Sequence, residues 1–274
     1  MKAFKINMVL AVVIVFFSCQ TSYPTLPYAA LAQSNIRLPY IKKYEAKGKE
    51  VLVYGSYHTN DTADAQMDDI EKHLDHFKPQ VILYEGDYIG VEPTRNASAS
   101  TYFEMGLVRW WAQQHGVPEL NLEPSAKQRF RFLQKKYSSD AIMLATILGQ
   151  NILYIKQHSK QDFEKLFPSL ISDFEKEGFE LTEKQKQLSH FYEAYESFFK
   201  IPFDPATFDY EAVEPKFNKT LLNKISQESA TFRDQFMLKR IDSTVKHVNK
   251  VYVQVGGRHA IVWQPALEKM MAKY

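Results

Sequence analysis

One short pattern occurs twice, near opposite ends of the chain, and it constrains the fold more than any other feature. Gly55-Ser56-Tyr57-His58 follows the apolar run Val51-Leu52-Val53-Tyr54, and Gly256-Gly257-Arg258-His259 follows Val251-Tyr252-Val253-Gln254-Val255. Each reads as a short buried strand, a glycine turn and a histidine. Glycine has no Cβ to clash at positive φ, so it suits a sharp bend where a strand stops. In open α/β sheets, ligands bind beyond the carboxyl ends of the strands. Two histidines far apart in sequence can therefore meet in one site. A third apolar run, Val81-Ile82-Leu83-Tyr84, ends at Glu85 and adds a carboxylate to the same edge.

Between these runs the periodicity alternates. Met67, Ile70, Leu74 and Phe77 recur at helix spacing over 64–77, Tyr102 to His115 reads as a second helix, and Leu120-Asn121-Leu122 is a short strand ending at Glu123-Pro124. A hairpin is expected from Leu38–Tyr44 to Val51–Tyr54, across a Lys-Gly turn. Strand–helix alternation of this kind implies α/β, with a mostly parallel central sheet flanked by helices. From about 125 to 249 the chain turns helical and rich in Phe, Tyr, Lys and Glu, which suggests an α-helical insertion or cap lying over the sheet. Val251–Val255 is then the last core strand, and Pro265–Lys273 a closing helix.

The N-terminus has the grammar of an export signal. Lys2 and Lys5 precede an unbroken apolar run from Met8 to Phe17, too short to span a bilayer. Residues 1–18 are expected to be a signal peptide, 19–36 a flexible tether and 37–274 the folded domain. Cys19 is the only cysteine, so no intrachain disulfide can form. Without Lys2 and Lys5 the chain carries 32 basic and 32 acidic residues, which gives no global electrostatic reason to bind nucleic acid.

Two resemblances bear on these features. Phe16-Phe17-Ser18-Cys19 resembles a loose bacterial lipobox, which implies lipidation at Cys19 and anchoring to a membrane of the cell envelope; the rival site is Ala30-Leu31-Ala32, which implies a soluble secreted or periplasmic protein. The 51–58, 81–87 and 251–259 segments, with Arg233-Asp234-Gln235-Phe236-Met237, resemble the TraB/TIKI group of the erythromycin-esterase-like/ChaN-like superfamily. The resemblance spans residues 38–273 and implies an α/β fold and, for some members, a metal-dependent protease or other hydrolase. It implies a peptide or small-molecule substrate and, from ChaN-like relatives, a possible metal or haem-iron carrier. Relatives commonly carry Arg-Asn where this chain has Arg233-Asp234. An ionised Asp only accepts hydrogen bonds, whereas Asn also donates.

The candidate catalytic residues are therefore His58, Glu85, Arg233 and His259, with Glu123 and Arg258 as candidate substrate contacts. Two schemes fit them. In one, His58, Glu85, Asp234 and His259 hold a divalent metal such as Mn, Co or Zn, which activates water. In the other no metal takes part: a histidine or Glu85 is the general base, and Arg233 stabilises the oxyanion. A non-catalytic, surface-anchored binding protein of the same fold is the third reading. Each side chain also has a structural alternative: a histidine can cap a turn, and Arg233 can simply pair Glu85 or Asp234. His73 and His76 fall at the edge of the apolar stripe of their helix or opposite it, and read as a solvated face. No Gly-x-Ser-x-Gly, HExxH or phosphate loop is present.

Overall fold

The computed structural model describes residues 22–32, 37–86, 90–150 and 159–274. The expected signal peptide and Cys19 lie outside the described residues. A five-stranded sheet runs β1 (Tyr40–Ala46), β2 (Lys49–Ser56), β5 (Lys250–Gly256), β3 (Val81–Tyr84) and β4 (Glu119–Asn121) in spatial order. Only β1 is antiparallel, joined to β2 by a two-residue turn in which Lys47 has φ 44° and Gly48 φ 81°. Such turns match the right-handed twist of the strands they join. The fold is α/β with a mostly parallel sheet, as the alternating pattern implies.

The last strand lies at the centre. β5 pairs β2 on one side and β3 on the other, with Ser56 opposite Gly256 and Tyr84 opposite Gln254. This register brings three strand ends level along one edge of the sheet. β-strand side chains alternate between faces. Val51, Val53, Val251 and Val253 thus pack on α7 (Leu221–His247) through Met237, Leu238, Ile241 and Val245. Leu52, Tyr54, Ile82 and Tyr252 pack on α1 (Ala65–Phe77) and α2 (Arg95–His115). The predicted stripe of α1 is buried, and Asp64 caps its first turn by accepting from the Gln66 N–H.

Three expectations need correction. First, only α7 of the helical insertion lies over the sheet. α3 (Ala126–Gln134), α4 (Ser139–Gln150), α5 (Lys160–Lys176) and α6 (Leu188–Phe199) build a core of their own around Phe130, Phe163, Phe167, Phe191 and Tyr195. That core joins the rest through α7, whose first half contributes Leu222 and Ile225 to it. At about 1.5 Å per residue, the 27 residues of α7 are long enough to serve both cores. Aromatic density explains the result: these helices carry enough apolar rings to bury one another.

Second, residues 22–32 are not a tether. Tyr23 exchanges two backbone hydrogen bonds with the Gln235 side chain, at 2.8 and 2.9 Å, and its hydroxyl donates to Asp242 at 2.9 Å. Tyr28 and Leu31 are buried within a short 3-10 turn, Tyr28–Ala32. Ser/Thr/Pro-rich composition hid two tyrosines and a leucine that dock on α7 and on α8 (Gly257–Val262).

Third, the motif glycines do not adopt positive φ; among these strand ends, only Gly86, directly after Glu85, does. Their role is close approach. A Cβ on Gly55 would lie 2.6 Å from the Ala260 Cβ and 3.0 Å from the Gly257 Cα, so β2 and α8 touch almost backbone to backbone. Gly55→Ala is expected to destabilise the fold by about 1–3 kcal/mol, the usual cost of overpacking. Chemical denaturation read by tryptophan fluorescence checks this, and an unchanged midpoint would mean that β2 and α8 are not held so close.

Candidate active site

Beyond the level strand ends, four carboxylates, two histidines and one arginine interlock. His58 lies two residues past β2. Its turn is fixed by the buried Gln66, which accepts from the Tyr57 N–H at 3.0 Å and donates to the Tyr57 carbonyl at 2.8 Å. The His58 Nδ1 lies 2.6 Å from Oε1 of Glu104, which also accepts from Ser56 Oγ at 2.9 Å. Glu104 is fully buried, while 63% of the His58 side chain is exposed. The imidazole therefore donates Nδ1–H to the carboxylate and turns Nε2 outward. The Glu104 hydrogen bond raises the His58 pKa above its ordinary value, against the opposing effect of burial.

Glu104 reaches this position through a break in α2. Tyr102 and Phe103 leave helical geometry, with Phe103 at φ 58° and ψ −158°, a region populated almost only by glycine. Strained backbone of this kind persists only where surrounding packing over-determines it. Here it sets the buried carboxylate directly under His58.

Glu85, one residue past β3, is the hub. Its Oε2 accepts from the Gly256 N–H at 2.6 Å, and its Oε1 accepts from Arg233 Nη2 at 2.7 Å. The His259 Nε2 lies 3.4 Å from the same Oε1. Burial alone would raise the Glu85 pKa, but His259, Arg233 and the Gly256 N–H outweigh it and hold the carboxyl well below the usual range. Arg233 also grips Glu123 in a two-pronged pair, Nε to Oε2 at 2.9 Å and Nη2 to Oε1. Burial works against the guanidinium charge, yet Glu123 and Glu85 keep its pKa well above the ordinary value.

His259 sits between two carboxylates. Its Nδ1 is 2.6 Å from Asp234 Oδ1, on the ring edge opposite Glu85. A carboxylate oxygen lies beyond each nitrogen, 2.6 Å from Nδ1 and 3.4 Å from Nε2, a setting that favours the imidazolium. Burial opposes that charge, but Glu85 and Asp234 push its pKa up to about 10. Asp234 is saturated: it also accepts from Trp263 Nε1 at 2.6 Å and from the Tyr28 hydroxyl at 3.0 Å. The Tyr28 hydroxyl keeps its proton, since burial and Asp234 raise its pKa well above the ordinary value.

The strand-end reasoning thus brings His58, Glu85, Arg233 and His259 to one edge. Gly256 marks their proximity: a Cβ there would lie 3.3 Å from Glu85 Oε2 and 3.6 Å from His58 Nε2. Two assignments change. Glu123 is occupied by Arg233 rather than open to substrate. Asp234 lies behind the His259 ring, so it cannot share one ion with Glu85 and the His259 Nε2. Both oxygens of Glu85 are engaged, both nitrogens of His259 face carboxylates, and the His58 Nε2 stands outside these pairs. Among the described residues no three His, Cys, Asp or Glu side chains form a ligand group. His73 and His76 stay out of the site, the former bonded to the Asp69 carbonyl at 2.8 Å.

Two residues escaped the sequence reading. Glu104 carried one signal, a lone carboxylate inside the run Tyr102 to Val108. Tyr28 carried none, because its segment has the composition of a linker. Comparison of the chain with models of known families, with curated proteins and with solved structures finds no match.

The two central groups respond to pH in opposite senses. The raised pKa of His259 makes its stabilisation complete below its unfolded value of about 6.5. That stabilisation is lost as pH rises through about 10. The lowered pKa of Glu85 gives a contribution present above the ordinary carboxylate range and lost in acid. Thermal midpoints at pH 6.5 and pH 10 should therefore fall more steeply for the wild type than for His259→Gln. Equal slopes would mean that His259 is not an imidazolium in the folded state.

Proposed function

We propose that the chain is a metal-free hydrolase of an amide or ester in a peptide or small molecule. His58 is its general base, and His259 with Arg233 forms its electrophilic side. One observation carries this reading: two histidines at one sheet edge are held in different protonation settings. His58 has its Nδ1 on a buried carboxylate and its Nε2 exposed, the orientation that lets an imidazole take a proton from water. His259 is clamped as an imidazolium. Environments that separate the roles of two titratable groups assign acid and base.

In the resulting step, a water oxygen attacks the carbonyl carbon while its proton passes to His58 Nε2. The negative charge on the carbonyl oxygen is met by the Arg233–His259 side. The C–N or C–O bond then breaks, and the leaving atom takes its proton from His259. Glu85 and Glu123 hold the cations in place, and Glu104 orients the base. Asp234, where relatives of the resembled family commonly carry Asn, is the second anion that keeps His259 charged.

A screen of peptides and simple esters tests this, with and without chelator. Activity should rise with pH as His58 loses its proton, above the ordinary histidine value, and fall near pH 10 as His259 loses its own. His58→Ala should reduce kcat by about 10²–10⁴-fold, the usual worth of a positioned base. Asp234→Asn should move the alkaline limb to lower pH. Activity abolished by chelator and restored by Mn, Co or Zn would sink the metal-free scheme. A folded protein with no turnover on any substrate would favour the non-catalytic reading.

We further propose lipidation at Cys19 and attachment to the cell envelope. Packing of residues 22–32 supports this, because cleavage after Ala32 would remove Tyr28 from Asp234. N-terminal mass analysis of membrane-extracted protein should find a lipidated Cys19; a chain beginning at Gln33 would reject it.

A further inference from the structure

Between the helical insertion and the sheet edge lies a cavity of about 230 Å³. Its apolar wall comes from Leu133, Ala145, Val213 and Ile225, and Ser226 and Ser229 add hydroxyls from α7. Three arginines also line it: Arg129 of α3, Arg233 of α7 and Arg258 of α8. The one acid in the lining, Glu214, has the Lys216 ammonium 2.9 Å from its Oε2. Two of the arginines have donors to spare. Arg233 spends Nε and Nη2 on Glu123 and Glu85, which leaves Nη1 outside those pairs. Arg258 is exposed and makes no ion pair among the described residues.

We propose that this cavity recognises a carboxylate on an apolar body, held between Arg258 and the Nη1 edge of Arg233. Guanidinium groups match carboxylates in planar, two-pronged geometry. Ligand pockets combine apolar walls with a few fixed polar groups of this kind. The Arg233 guanidinium lies in the cavity wall on one side and on Glu85 on the other, so a carboxylate bound there sits one side chain away from the strand-end histidines. The substrate class that follows, and this step alone rests on the hydrolase reading, is an amide whose scissile bond neighbours a free carboxylate, such as the last bond of a peptide ending in an apolar residue.

Binding can be measured without turnover. Calorimetric titration of the purified full chain with 4-methylpentanoic acid, which has no amide to cleave, and with its uncharged analogue 4-methylpentanamide, should show the acid binding at least about tenfold more tightly, as expected for a charge-assisted pair. Arg258→Ala should weaken the acid by a similar factor, and Arg258→Lys should restore only part of it, because an ammonium lacks the planar fork. Gly149 offers a separate check. It lines the cavity, and a Cβ there meets nothing within 4 Å. Gly149→Leu should fill the space and abolish binding of the acid without lowering the thermal midpoint, since Leu is the better helix former. Equal binding of acid and amide would overturn the proposal, as would acid binding that survives both Arg258→Ala and Gly149→Leu. Inorganic phosphate binding as tightly as the acid would overturn the role of the apolar wall. Intact acid binding with no hydrolysis of any substrate would count against the hydrolase reading alone; hydrolysis without acid binding would count against this inference alone.

Discussion

A single buried carboxylate organises this molecule. Glu85 is reached by the backbone N–H of Gly256 from β5, by Arg233 from α7 and by His259 from α8, so three consecutive C-terminal elements, all far from it in sequence, converge on its two oxygen atoms. An unpaired charge at that depth costs several kcal/mol, and the cost falls only when cations and N–H donors surround it. Sheet, long helix and C-terminal turn are thereby obliged to meet in one geometry. The same requirement spreads outward. Arg233 needs Glu123 to balance its second edge, and His259 needs Asp234 at its far nitrogen. Asp234 in turn draws in Trp263 and the N-terminal Tyr28.

The network is divided by function as well as by position. Around Glu85 both carboxylate oxygens are engaged and only the Arg233 Nη1 lies outside the pairs, which rigidifies the site and holds its charges fixed. His58 stands apart on its own buried partner, Glu104, and keeps an exposed nitrogen. A fixed electrostatic wall beside one movable proton is the arrangement expected when charge develops on a substrate rather than on the protein. The strained Phe103 backbone belongs to this second half, since it places Glu104 within the sheet edge instead of on the helix surface.

α7 ties chemistry to architecture. It contributes Leu222 and Ile225 to the aromatic core of the insertion and Met237 to Val245 to the sheet core, with Arg233 and Asp234 between. A helix that buries different faces along its length has no single apolar stripe, which is why its pattern in the sequence is indistinct. The cavity opens at this junction, where two cores meet without merging.

The sequence by itself determined the local elements and the edge on which chemistry gathers. β-branched runs specify strands 51–54, 81–84 and 251–255 whatever surrounds them, and the residues that follow must emerge on one side once the strands are parallel. His58, Glu85 and His259 were legible for that reason. Only the tertiary structure decided which groups pair. Glu104 and Tyr28 reach the site through a helix break and a docked N-terminal segment, and neither leaves a periodic trace. The glycines were legible as special, yet their purpose, letting β2 approach α8, depends on a neighbour two hundred or so positions away. Asp234 was visible beside Arg233 in the sequence, but its place behind His259 follows from the packing of α7 and α8. Pairing of charges is a long-range property, set by burial, and burial is decided only when the whole chain has closed.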